Sequence, residues 1–499
     1  MKHIVLLFLL GLSLFACTQK NENQKNPNII YILADDMGYG DVSYLNKKSK
    51  IPTPNIDRLG KDGMIFTDAH SGSAVCTPTR YGIITGRYAW RSKLKQYVLF
   101  GYADHLIETG RSTVPSLLKK HGYKTAAFGK WHLGMDLPLL GGETERKAAN
   151  EVDWEGKKFR NIDWTKKIKN GPNSNGFDYF YGIPASLDMD PYVYIENDRF
   201  VAPAIKNQDW VKGVRKGPAM KGFKLLEVLP TITRKTVEYI NEQKKDTPFF
   251  IYMALTAPHT PIVPVKEFQG KTVLGKYGDF CTQVDNSVAQ VLNALDNKGL
   301  AGNTIVIFTS DNGCSPSAKV KKMEKKGHFP SYIYRGYKSD IFEGGHRIPF
   351  LIRWPGKIKP STISDETICL TDLMATCAAI VGDELKYNEA EDSYNILPVL
   401  KGEQYQKPLR EATVHHSYYG SFAIRQGKWK LEVTPGSGGW GYPRNKKAEE
   451  LGLPPVQLYD LENDVAETTN IYKEHPEVVK ELTALLEKYK KQGYSRHIK

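Results

Sequence analysis

The 499-residue chain holds only six cysteines, and no two of them sit at zinc-ribbon or redox spacing. That excludes a disulfide-stapled scaffold and a cysteine-rich zinc module. No internal repeat of fixed period is present, which excludes solenoids and propellers. Long apolar runs are missing too. The run near the N-terminus, Ile4 to Phe15, is too short to cross a bilayer. Acid is the scarcer charge: 55 Asp and Glu stand against 69 Lys and Arg, for a net charge of +14. A basic balance permits a polyanionic partner.

What is present begins with a targeting segment. Met1-Lys2-His3 precedes the apolar run and Ala16-Cys17 closes it, the pattern of a secretory signal. Leu14-Phe15-Ala16-Cys17 resembles a bacterial lipobox, so residues 1–17 are expected to direct export. Cys17 is then a candidate lipid anchor, although Phe15 is bulky for its place and ordinary cleavage stays open. Residues 18–27 are polar and suit a tether. The expected location is the periplasm or the outer membrane of a Gram-negative bacterium. An exported protein meets little nucleic acid, so an acidic polysaccharide is the better reading of the charge. Export also permits one or two disulfides among Cys281, Cys314, Cys369 and Cys377.

The remaining length suits two domains. Asn28 to Ala34 and Thr304 to Ser310 are near-continuous apolar runs, the mark of strands buried on both faces of a parallel sheet. Further strands are expected at 64–69, 124–128, 248–254 and 348–353. Helices are expected from residue 53, at 114–120, 230–243, 277–297 and 371–381. Residues 136–176 read as a surface insertion. The texture changes near 385: Phe422 to Val433 reads as a hairpin around Gln426-Gly427, then a turn-rich stretch and an amphipathic helix at 475–490. The expected fold is α/β. A large, mixed, mostly parallel sheet lies between helices over 28–384, and a smaller antiparallel sheet with a helix occupies 385–499.

Chemistry gathers where strands end. Asp35-Asp36 closes the first apolar strand and Asp311-Asn312 closes another, and the C-terminal ends of parallel strands are where open α/β sheets place their sites. Four oxygen donors without histidine or thiolate select Ca²⁺ or Mg²⁺ over zinc. In Cys76-Thr77-Pro78-Thr79-Arg80, Pro78 suits a first helical turn. That places Cys76 at a helix N-terminus, where an anion is favoured, with Arg80 on the same face. Lys130, His132, His259 and Lys338 follow separate elements. Basic groups converging beside a cation site describe a pocket for a small multiply charged anion.

Here the chain resembles the type I sulfatases of the alkaline phosphatase superfamily. Cys76-Thr77-Pro78-Thr79-Arg80 matches the family signature. Asp35-Asp36-Met37-Gly38, Gly129-Lys130-Trp131-His132, Ala257-Pro258-His259, Asp311-Asn312-Gly313, Gly336-Tyr337-Lys338 and Leu458-Tyr459-Asp460-Leu461 follow in the family's order. The resemblance implies that a maturase oxidises Cys76 to formylglycine, whose hydrate is the nucleophile. It implies that Asp35, Asp36, Asp311, Asn312 and residue 76 hold Ca²⁺, and that Arg80 holds the hydrate. Lys130 and Lys338 would neutralise the sulfuryl oxygens, His259 would protonate the leaving alcohol, and His132 would draw the proton that expels sulfate. Ser186 would contact sulfate.

The segment Ala185 to Tyr192 is similar to N-acetylgalactosamine-6-sulfatases. It implies a sulfated oligo- or polysaccharide substrate, a 6-O-sulfated galactose or N-acetylgalactosamine unit being the best fit. Asp188, Asp190, His415 and His416 are candidate sugar contacts. His346 has no assigned role. Two rivals stay open: a phosphatase or phosphodiesterase of the same superfamily, and a non-catalytic glycan-binding protein with unmodified Cys76.

Overall fold

The computed structural model describes residues 26–142, 161–208, 214–405 and 408–496. The expected signal segment, most of the tether and the middle of the expected insertion lie outside these residues. In chain order the strands are β1 (Asn28–Asp35), β2 (Met64–Phe66), β3 (Ala69–His70), β4 (Lys124–Lys130), β5 (Tyr179–Ile183), β6 (Ile195–Glu196) and β7 (Arg199–Phe200). There follow β8 (Ala204–Gln208), β9 (Gly217–Met220), β10 (Phe249–Pro258), β11 (Thr304–Ser310), β12 (Phe350–Arg353), β13 (Thr362–Ser364) and β14 (Ile368–Cys369). The last four are β15 (Thr413–His416), β16 (Phe422–Gln426), β17 (Trp429–Val433) and β18 (Gln457–Asp460).

Ten strands form one sheet in the order β13-β2-β12-β11-β1-β10-β4-β5-β6-β7. At its centre β11, β1, β10, β4 and β5 run parallel. Ile30 of β1 sits between Val306 and Ile251. Alternation does the packing: Ile29, Tyr31 and Leu33 enter the core on one face, and Ile30, Ile32 and Ala34 enter the core on the other. Successive strand residues point to opposite faces, so an unbroken apolar run is what a strand covered on both sides requires.

Helix α1 (Pro54–Lys61), α2 (Cys76–Thr85), α3 (Val114–Lys120), α4 (Val228–Glu242) and α5 (Lys276–Asn297) lie close to the expected positions. The expected strand at 64–69 is broken, because Asp68 leaves the sheet to meet Arg347 and Arg425, each at 2.7 Å. β3 then pairs with β14 instead. The described part of the 136–176 segment is tied by isolated bridges, Asp136 to Lys169 and Leu139 to Ile162.

The four strands β15 to β18 form a separate antiparallel sheet. Helix Pro476–Gln492 covers it with Leu482, Leu485, Leu486 and Tyr489. Residues just past 385 belong elsewhere: Ala390, Ile396, Leu397, Val399 and Leu400 pack in the large sheet's core. The change in texture at 385 therefore precedes the change in packing. Cys76, Cys281, Cys314, Cys369 and Cys377 are all free and buried, so none of the disulfides that export would permit forms among the described residues.

Candidate active site

Four neighbouring strands deliver one acidic or basic group each. β1 ends in Asp35 and β4 ends in Lys130. Asp311 follows β11, and His259 follows β10. Asp36 takes a left-handed backbone, φ 66°, and that turn lets two consecutive aspartates face one pocket. All four groups are buried, none more than 7% exposed.

The helix that carries Cys76 enters from the side. Cys76 is the first residue of α2, and all ten residues of that helix are buried. Lys338 Nζ lies 3.3 Å from Cys76 Sγ and 2.6 Å from Asp36 Oδ1. Arg80, one turn along α2, donates from Nη2 and Nε to Asp311 Oδ2 at 2.7 and 3.1 Å. The same guanidinium lies 3.4 Å from Asp35 and donates to the Lys130 carbonyl. Lys130 Nζ donates to both Asp35 oxygens at 2.9 Å and to Ser186 Oγ at 3.2 Å. Ser186 also touches the His259 ring at 3.2 Å.

Two oxygens in this pocket accept no hydrogen bond, although Asp36 Oδ2 lies 3.7 Å from His259 Nε2. Asp36 Oδ2 and Asn312 Oδ1 are buried without a hydrogen bond, although Asn312 Nδ2 donates to Asp36 Oδ1 at 2.8 Å. Buried, unpaired oxygens are costly. They fit a hard cation, which takes only oxygen and needs no donor geometry.

Charge sorts the titrating groups. Burial works to raise the Asp35 carboxyl, but Lys130, His259 and Arg80 hold it well below the usual range. Burial and Lys338 oppose charging His259, while Asp36 and Asp35 favour it, and its pKa is raised to about 9. His132 goes the other way: burial, Lys130 and Arg80 push it well below the ordinary histidine value. Its Nε2 donates to the Leu99 carbonyl at 2.7 Å, so Nδ1, buried and unpartnered, holds the lone pair. The surroundings thus push the two histidines in opposite directions.

Other candidates lie apart from this cluster. Asp188 and Asp190 stand beside Tyr192, whose phenol burial and both carboxylates push up, and the Asp188 carbonyl accepts from Arg215 N. His415 and His416 are 0% and 1% exposed and are not available to a sugar. The sequence reading missed an aromatic group beside Lys338. Tyr418 and Trp440 have ring centroids 5.0 Å apart, and Tyr418 also packs on Tyr97 and Tyr419. Both are moored to Ser339, the neighbour of Lys338: Tyr418 N donates to its carbonyl and Trp440 N to its Oγ. These residues come from turns far apart in sequence, and no local pattern marks them.

A parallel sheet with acidic strand ends, a buried cysteine at a helix start and converging lysines make a pocket suited to a small, multiply charged anion, and the comparisons with known proteins identify it as that of a sulfuric ester hydrolase of the alkaline phosphatase superfamily. The sulfatase family model matches residues 27–382, and the chain belongs to the sulfatase family. An N-acetylgalactosamine-6-O-sulfatase of Bacteroides thetaiotaomicron is 35% identical, over 97% of this chain and 98% of that one. Human N-acetylgalactosamine-6-sulfatase is 29% identical over 77% of this chain and 67% of its own length. A solved Bacteroides thetaiotaomicron sulfatase structure, from work on the metabolism of multiple glycosaminoglycans, superposes with a TM-score of 0.80. It is 34% identical and is covered completely by 94% of this chain.

Proposed function

We propose that this sulfatase removes the 6-O-sulfate from N-acetylgalactosamine or galactose units of a sulfated glycan, with residue 76 acting as a formylglycine hydrate. The observation that carries the reading is the contact of Cys76 Sγ with Lys338 Nζ at 3.3 Å, in one cluster with Asp35, Asp36 and His259, to which Asp311 and Asn312 are joined by hydrogen bonds with Asp36. Sγ stands where an oxygen of the hydrate would be. A thiol is the wrong group, because turnover needs one oxygen that attacks sulfur and leaves with the sulfate, and a second hydroxyl on the same carbon that reforms the carbonyl as that carbon–oxygen bond breaks.

Asp35, Asp36, Asp311, Asn312 and the hydrate would hold Ca²⁺, with Mg²⁺ the second choice. When bound, the ion would supply Lewis acidity toward a sulfate oxygen. Lys130, Lys338 and Ser186 line the place of the sulfuryl oxygens and would balance their growing charge. His259, whose pKa Asp36 and Asp35 raise to about 9 against burial and Lys338, would pass a proton to the leaving sugar oxygen. His132 Nδ1 would accept the hydrate proton whose loss expels sulfate. A maturase acting before export, a lipid anchor at Cys17 and a periplasmic or membrane-bound site belong to the same proposal.

The substrate assignment leans on the two N-acetylgalactosamine-6-sulfate relatives. It is tested by sulfate release from 4-O- and 6-O-sulfated N-acetylgalactosamine, using protein made with a maturase. Faster release from the 6-O ester is expected by about 100-fold or more. Equal rates would sink the positional assignment, and phosphate release without sulfate release would favour a phosphatase. The aromatic group beside Lys338 is suited to the apolar face of a sugar ring. Trp440→Ala is expected to raise KM about tenfold with kcat changed less than about threefold, the mark of lost ground-state binding.

A further inference from the structure

His346 has no part in the catalytic pocket. It lies in a second buried cluster with His70 of β3 and His415 of β15, and all three side chains are 0% exposed. One ring nitrogen from each lies within 4.8 Å of those of the other two.

Outer partners decide the tautomers. His70 Nε2 is 2.8 Å from Asp68 Oδ1, and Arg347 and Arg425, against burial, hold that carboxylate ionised. Arg425 Nη1 also lies 3.2 Å from Nε2, but its nearer acceptor is Asp68 Oδ1 at 2.7 Å; a carboxylate only accepts, so Nε2 carries the proton and Nδ1 the lone pair. His346 Nε2 is 3.1 Å from the Ile341 carbonyl, which likewise leaves its lone pair on Nδ1. His415 Nδ1 donates to the Ser71 carbonyl at 2.9 Å. Its Nε2 is buried and has no partner. The inner nitrogens of His70 and His346 then face each other at 3.0 Å, lone pair to lone pair.

Lys430 Nζ also approaches His346 Nε2, at 3.2 Å. Its three protons, however, have nearer oxygens in Glu467 at 2.6 Å, the Ile341 carbonyl at 3.0 Å and Glu343 at 3.1 Å.

We propose that His70, His346 and His415 form a structural site for a divalent transition-metal ion, zinc by preference, separate from the catalytic cation site. Imidazole suits zinc, whereas the oxygen set at Asp35 and Asp36 suits calcium. Each ring has its outer N–H fixed by a carboxylate or a carbonyl, the support that metal-binding histidines require. Burial also keeps all three rings neutral, with pKa values below the ordinary histidine value. The His346 and His415 rings stack at 4.0 Å with an interplanar angle of 8°, and sharing an ion requires that pair to splay. The ion would join three segments: β3, which leads into the Cys76 loop; the helix Glu343–His346, which follows Lys338; and β15 of the C-terminal sheet. It would act by stiffening the approach of the nucleophile.

The test uses full-length protein without a histidine tag, stripped with chelator and dialysed against zinc and calcium chlorides. About one tightly held zinc per chain is expected by elemental analysis, with the anomalous peak at the three histidines. Zinc should raise the melting temperature of the wild type. His415→Ala and His346→Gln should bind zinc at least about tenfold more weakly while calcium content stays unchanged. No bound zinc in the wild type, or an anomalous peak only at Asp35 and Asp36, would overturn the site, as would density for a hydrogen-bonded histidine pair alone. Where a variant does not fold, the wild-type metal content and the anomalous map decide.

Discussion

Cys76→Ala is expected to lose sulfatase turnover by about 10⁴-fold or more, because under the proposed mechanism it removes the atom that the nucleophile would replace. The rest of the pocket should survive. Cys76 is the first residue of a buried helix, and alanine is a good helix former. Lys338 keeps Asp36 at 2.6 Å, and Lys130 keeps Asp35 at 2.9 Å. Sulfated sugar should therefore still bind, with the dissociation constant changed by less than about tenfold. Sulfate release by ion chromatography and sugar binding by calorimetry separate the two effects. Turnover at even a hundredth of the wild-type rate would show that residue 76 is not the nucleophile.

Arg80→Ala is expected to damage stability and activity together. The guanidinium is wholly buried and is pinned to Asp311 by two bonds, with Asp35 a further partner at 3.4 Å. Removing it leaves carboxylates buried without their cation, and breaking such a pair costs about 3–5 kcal/mol. Turnover should fall by about 10²–10³-fold from the misplaced pocket. Arg80→Lys should recover little, since one ammonium cannot reproduce two bonds and reach the Lys130 carbonyl as well. Excess calcium should restore part of the stability of Arg80→Ala by returning positive charge beside Asp35 and Asp311. Denaturant titration with and without calcium measures this, and an unchanged midpoint for Arg80→Ala would contradict the argument.

Local chemistry was legible where a few consecutive residues carried it. Asp35-Asp36 and Asp311-Asn312 are readable because a buried strand stops where its acids begin, at Asp35 in one case and just before Asp311 in the other, and the apolar runs before them are unmistakable. Pro78 and the spacing of Cys76 and Arg80 are readable for the same reason: one helical turn lies within five residues. The break at Asp68 was not legible, because its cause is a pair of arginines 279 and 357 positions away. Nor was the packing of residues 390–400 into the large core, since their polar, turn-rich flanks resemble those of the C-terminal segment. His415 looked like a loop residue available to sugar, yet the fold buries it completely against His346.

The sequence by itself determined the class of this protein. Strand ends, a helix start and an ordered series of short motifs are properties of neighbouring residues, and neighbours interact whatever the remainder of the chain does. Only the tertiary structure decided which groups meet: Lys338 with Cys76, Ser186 between Lys130 and His259, and three histidines from distant segments around one buried point. Such encounters depend on how sheet and loops close over hundreds of residues. No local preference encodes that closure; the burial of apolar faces on both sides of the sheet, summed over the whole core, does.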